Sequence, residues 1–138
     1  MTTYKNFKIN AKFQGFEPNK AWEDDKPRRK FFVYVTNTDT NAKTRFTFWD
    51  SIASEENGAK ALDEYNTLNA FYCFVSDASS GYNTFSDFCS EFGYDEDSRN
   101  AYRIYTACKR GRKSWERVSG MDEGETCDFL NELQEVAG

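Results

Sequence analysis

The hydrophobic pattern of this chain changes period once, near Asp50. Before it, apolar and aromatic residues alternate with polar ones; after it, they recur every three or four residues. Period two marks a half-buried strand, and a period near 3.6 marks a helix that buries one stripe. A chain ordered in this way must lay helices made by its later part on a sheet made by its earlier part. The predicted fold class is α+β. A three-stranded antiparallel sheet over residues 4–49 is followed by a small helical layer over 50–138, within one domain spanning 1–138.

Phe7, Ile9, Ala11 and Phe13 alternate with Lys8, Asn10 and Lys12, and Gly15 and Pro18 close that strand. Glu17 to Arg29, with both prolines and mixed charges, reads as a surface loop. Lys30 to Thr36 is aromatic and β-branched, Asn37 to Asn41 carries turn chemistry, and Thr44 to Trp49 is the return strand. In the helical part, a short turn before Gly58 is capped by Asp50 or Ser51. Leu62, Tyr65, Leu68, Tyr72 and Val75 form the next stripe, which Gly81 ends. Thr84 caps a helix bearing Phe85, Phe88, Cys89 and Phe92, which Gly93 terminates. Asp95 or Asp97 caps a longer one bearing Ala101, Ile104, Tyr105, Cys108 and Trp115, interrupted at Gly111. A last helix starts between Glu123 and Thr126 and carries Cys127, Leu130, Leu133 and Val136.

Aromatic residues are 17% of the chain, enough to build a core poor in isoleucine and valine. No apolar run approaches the roughly 18–20 residues of a membrane helix, and the N-terminal residues carry no signal-peptide pattern. The expected compartment is the cytoplasm, with no membrane partner. Histidine is absent, which removes the commonest general base and metal ligand. Cys73, Cys89, Cys108 and Cys127 lack the close pairing of a structural zinc site and sit on or beside apolar stripes. They are expected to be reduced and metal-free. No phosphate-cradling or nucleophile-elbow motif occurs. The composition points away from an enzyme and from a cofactor.

Charge runs in blocks. Residues 1–49 carry +5, residues 50–98 carry −10, residues 99–117 carry +6 and residues 118–138 carry −6, for a net −5. Glu55, Glu56, Asp63, Glu64, Asp95, Glu96 and Asp97 are the candidate acidic surface for a partner. Acids in a first helical turn also complement the helix dipole without any partner. Arg99, Arg103, Lys109, Arg110, Arg112, Lys113 and Arg117 form a basic helix interleaved with Tyr102, Tyr105 and Trp115. Lys26 to Lys30 is a shorter basic patch. Cations beside exposed aromatics suit single-stranded nucleic acid, yet Tyr105 and Trp115 lie on the stripe assigned to the core.

The segment from Phe85 to Ser98, continuing through Arg99 to Cys108, resembles one in small phage-encoded accessory proteins of unknown or counter-defence function. The resemblance implies an inhibitor of the anti-CRISPR type. Such an inhibitor binds a bacterial CRISPR effector, with a Cas9-type nuclease as the specific expectation, and blocks nucleic-acid access or activation. These effectors hold their heteroduplex in a positively charged channel, for which an acidic surface competes. The alternative is an accessory protein that binds single-stranded nucleic acid through helix 99–117. A metal-dependent hydrolase built on Asp and Glu is a third class, and no motif supports it. On the leading reading, the net charge of −5 predicts weak direct binding to DNA near physiological salt, where screening beyond about 8 Å leaves only local patches to act.

Overall fold

The structure, a computed structural model, describes residues 2–17, 28–50, 61–79 and 84–137. The expected helical turn before Gly58, the stop at Gly81, Glu55, Glu56 and Lys26 lie outside them. The described residues form β1 (Thr2–Tyr4), β2 (Phe7–Glu17), β3 (Arg28–Asn37), β4 (Lys43–Asp50), α1 (Glu64–Ser79), α2 (Phe85–Phe92), α3 (Arg99–Ser119) and α4 (Glu123–Ala137). The sheet is four-stranded and antiparallel, in the order β1-β2-β3-β4. The three-stranded expectation is corrected by β1, which pairs Thr2 with Ile9 and Tyr4 with Phe7. Three residues are too few to show a period, and Lys5 turns the chain at φ 50.

Local chemistry places each junction. Asn37 closes the β3–β4 connection: its Oδ1 accepts the Asp39 N–H at 3.0 Å, and its Nδ2 donates to the Val118 carbonyl at 3.0 Å. Asn41 takes the left-handed backbone that asparagine tolerates, at φ 63. In β2 the register shifts between Phe13 and Gly15, and Gly15 holds φ 125, a bulge conformation that favours glycine. Thr84 Oγ1 accepts the Asp87 N–H to start α2, and Gly93 ends it at φ 71. Ser98, and not Asp95 or Asp97, caps α3 by accepting the Ala101 N–H. Helix α3 then runs through Gly111 without a break.

The helices pack on one face of the sheet. Phe7 of β2 meets Phe71 of α1 at 5.6 Å, Trp115 of α3 at 5.4 Å and Phe129 of α4 at 5.5 Å between ring centroids. Trp115 is 1% exposed and donates its indole N–H to Thr126 Oγ1 at 2.9 Å. Ile9, Phe31, Val33 and Val35 complete the sheet's share of this core. Two expected helical stripes are displaced only in part: Val75 and Leu133 are in the core, and Leu62, Leu68, Tyr72 and Leu130 pack against it half-buried. In α1 the buried residues are Thr67, Ala70, Phe71, Phe74, Val75 and Ala78, while Tyr65 is 59% exposed. In α4 they are Thr126, Phe129, Leu133 and Ala137, while Cys127 and Val136 are exposed. The aromatic ring in each helix that reaches Trp115 decides the phase. Helix α2 and the first half of α3 form a smaller cluster of Phe88, Cys89, Ala101 and Tyr105.

Candidate nucleic-acid interface

Strand parity fixes what lies on the side of the sheet away from the helices. Successive side chains of a strand point to opposite faces, and paired residues share a face. Phe7, Ile9, Phe31, Val33 and Val35 point to the core, so their neighbours point away. The register sets them in rows: Thr3 by Lys8, Thr36 and Lys43; Asn10 by Tyr34 and Arg45; Lys12 by Phe32 and Thr47; Lys30 by Trp49.

This outer face combines cations with aromatic rings. Lys12 Nζ lies 5.3 Å from the Tyr34 ring centroid, Lys30 Nζ 5.7 Å from that of Phe32, and the Arg45 guanidinium carbon 4.3 Å from that of Phe32. Lys8, Lys12, Lys43 and Arg45 are exposed, Phe32 and Tyr34 are half-buried, and Trp49 is 42% exposed. Among the described side chains of this face none is acidic. Glu17 stands at the far end of β2, in register with Arg28. The acidic residues of α4, Glu123, Glu125, Asp128, Glu132 and Glu135, belong to the helical layer on the opposite face. These α4 acids are therefore carried away from this surface.

The basic helix is a different kind of surface. Of its three aromatic residues, Tyr105 and Trp115 are buried and only Tyr102, 56% exposed, faces solvent. Arg112 pairs with Glu116 and with Glu123, each at 3.2 Å, and Arg117 donates to Thr44 Oγ1 at 3.4 Å. Lys109 covers the Tyr105 ring at 5.3 Å. Arg99 and Arg103 are exposed beside the α2 cluster. The patch at Lys26 to Lys30 is divided: Arg29 is 7% exposed and donates to the Ala61 carbonyl at 3.3 Å, whereas Lys30 lies on the outer face.

The acidic residues singled out from the sequence are not gathered into one cluster by any contact among the described residues. Asp63 Oδ1 accepts the Asn66 N–H at 2.7 Å at the start of α1, and Glu64 lies in that helix's first turn. Asp95 Oδ1 accepts the Asp97 N–H at 3.0 Å in the turn before α3. Burial, then the Glu96 and Asp95 charges, push the Cys89 thiol up from its ordinary pKa. Burial and the neighbouring Asp77 do the same for Cys73. The described free cysteines, Cys73, Cys89 and Cys127, lie on three different helices. No described helix is long and apolar enough to cross a membrane.

The outer face was missed from sequence because Lys30 to Thr36 was read as one aromatic, β-branched run. Splitting it by parity separates Phe31, Val33 and Val35 from Phe32, Tyr34 and Thr36. An aromatic pair on the second face of a strand whose first face already supplies the core was the available signal. Comparison with known proteins finds no family model, no curated protein and no solved structure that this chain matches.

Proposed function

We propose that this protein is a binding module for single-stranded nucleic acid and that the outer face of its sheet is the working surface. The observation that carries the reading is the set of Lys8, Lys12, Lys30, Lys43 and Arg45 around Phe32, Tyr34 and Trp49, with no acidic side chain among those described on the face. Cations neutralise phosphates, and aromatic faces stack bases of any sequence. A base on a ring is worth about 1–3 kcal/mol, against about 0.5–1 kcal/mol for an exposed cation over it. Bases therefore displace the lysine and arginine heads from the rings, and the freed heads turn to the backbone.

This reading departs from the weak binding expected from net charge. A net value treats the chain as one point. Here the acids of α4 and the cations of the sheet lie on opposite faces, and screening beyond about 8 Å at physiological salt keeps them apart in effect.

The test is an anisotropy titration of labelled oligo(dT) over a range of salt. At about 0.7 per phosphate contact on a single strand, the exposed cations Lys8, Lys12, Lys43 and Arg45 give a log–log slope of about −2.8. A flat salt dependence, or no binding at low salt, refutes the proposal. Inhibition of a CRISPR effector through Glu55, Glu56, Asp63, Glu64 and Asp95 to Asp97 is a separate proposal. It draws support from the sequence resemblance and not from the geometry, where Asp63 and Asp95 accept backbone N–H groups at helix starts.

A further inference from the structure

A groove of about 600 Å³ runs along β4, between that strand and helices α1 and α3. Its volume lies within the roughly 300–1,000 Å³ of small-ligand sites. Arg45, Thr47 and Trp49 line it and also belong to the outer face of the sheet. Among the described residues β4 is the last strand of the sheet, so a strand crossing the outer face reaches the groove by passing over that edge.

The lining is apolar with a few placed polar groups. Phe46 of β4 and Phe74 of α1 stack inside it, with centroids 4.5 Å apart and planes 2° from parallel. Ile104 of α3, 37% exposed, adds apolar surface. Asp77 of α1 and Arg110 of α3 bring one carboxylate and one further cation.

We propose that this groove is a base-reading pocket that takes one unpaired guanine of the bound strand. A carboxylate is an acceptor with two oxygens. Only guanine among the four bases offers two adjacent donors, N1–H and the 2-amino group, on its Watson–Crick edge, the edge read in splayed-out bases. Adenine and cytosine each offer one amino donor beside an acceptor nitrogen. Uracil and thymine offer one N–H between two carbonyls that a carboxylate repels. Asp77 accepts the guanine donors, the aromatic lining covers its ring, and Arg45 and Arg110 meet the adjoining phosphate. Asp77 is exposed at the groove, where partial burial of its carboxyl raises its pKa and its oxygens remain open to donors from a base.

The pocket rests on the sheet-face reading for the path of the strand, but it is tested without one. The intact protein is titrated calorimetrically with GMP, AMP, CMP and UMP. GMP binds with a preference of roughly tenfold or more, and Asp77→Asn removes that preference while the fold, followed by thermal melting, is kept. In parallel, GMP slows alkylation of Cys73, which lines the groove, in the wild-type protein. This readout does not depend on any variant folding. No GMP binding, equal binding of all four nucleotides, unchanged Cys73 alkylation, or a preference that survives in Asp77→Asn overturns the pocket. If oligo(dT) binds but GMP does not, the pocket fails and the sheet reading stands. If GMP binds selectively and oligo(dT) does not bind, the sheet reading fails and the pocket stands.

Discussion

Trp115 holds the helical layer on one side of the sheet, so its removal tests the arrangement that leaves the other side open. Its ring is 1% exposed and meets Phe7, Phe71, Phe74 and Phe129 at centroid distances between 5.3 and 6.3 Å. Truncation of such a residue to alanine costs about 3–5 kcal/mol, a large part of the roughly 5–15 kcal/mol that holds a domain folded. Trp115→Phe separates packing from hydrogen bonding. It keeps an aromatic ring but leaves the buried Thr126 hydroxyl, 5% exposed, without its indole donor. Net loss of a hydrogen bond of this kind is about 0.5–1.5 kcal/mol. The assay is urea unfolding followed by far-UV circular dichroism for wild type, Trp115→Ala, Trp115→Phe, Thr126→Val and the double variant Trp115→Phe/Thr126→Val. The expected coupling between the two sites is about 1 kcal/mol. A Trp115→Ala cost below about 1 kcal/mol, or additive single effects, refutes this placement of α3 and α4.

Three further outcomes follow from individual contacts. Asp77 has its folded pKa raised above 3.8, so its contribution to stability is full below 3.8 and lost as pH rises through the folded value. Asp77→Asn therefore raises the melting temperature relative to wild type at pH 7, and the gain shrinks at pH 3. Cys89 is buried, and burial, then the Glu96 and Asp95 charges, push its thiol up, whereas Cys127 is open to reagent. Mass-mapped alkylation modifies Cys127 first, and the two rates converge in denaturant. Thr84→Ala removes the acceptor for the Asp87 N–H and lowers stability by about 1 kcal/mol in a denaturant melt.

The alternating strands were readable because one face of each is buried and the period is short. Phe7, Ile9, Ala11 and Phe13 could be set on one face from pattern alone, and so could the turn at Asn37 to Asn41. The helical phases were harder. In α1, Leu62, Tyr65, Leu68 and Tyr72 are large residues at helical spacing. They compete with a second stripe in which Ala70 and Ala78 sit close beside Phe71 and Phe74. Leu62, Leu68 and Tyr72 end half-buried at the core's edge, and which residues reach its centre depends on rings in other elements, Trp115 above all, which no local pattern reports. In α4, Phe129 was overlooked for the same reason. The acids before α3 looked like caps, yet Ser98 one residue further on supplies the bond, because its side chain reaches the Ala101 N–H at 3.2 Å. The outer face could not be chosen from sequence alone, since nothing local states on which side of the sheet the helices settle. Once Phe7 is packed against α1, α3 and α4, parity assigns β2 as far as the shift at Phe13 and Gly15, and the register carries the assignment to β3 and β4.

The most direct test of the sheet as the working surface compares two reversals of equal charge. Lys8→Glu/Lys12→Glu alters the outer face, and Arg99→Glu/Arg103→Glu alters exposed positions of α3. Both change the net charge by the same amount, and circular dichroism checks that both fold. Oligo(dT) affinity is measured for each at the same low salt, along with the salt slope. The account predicts a large loss of affinity and a slope shallower by about 1.4 for the sheet variant, with little change for the helix variant. Equal losses, or a loss confined to the helix variant, contradict it.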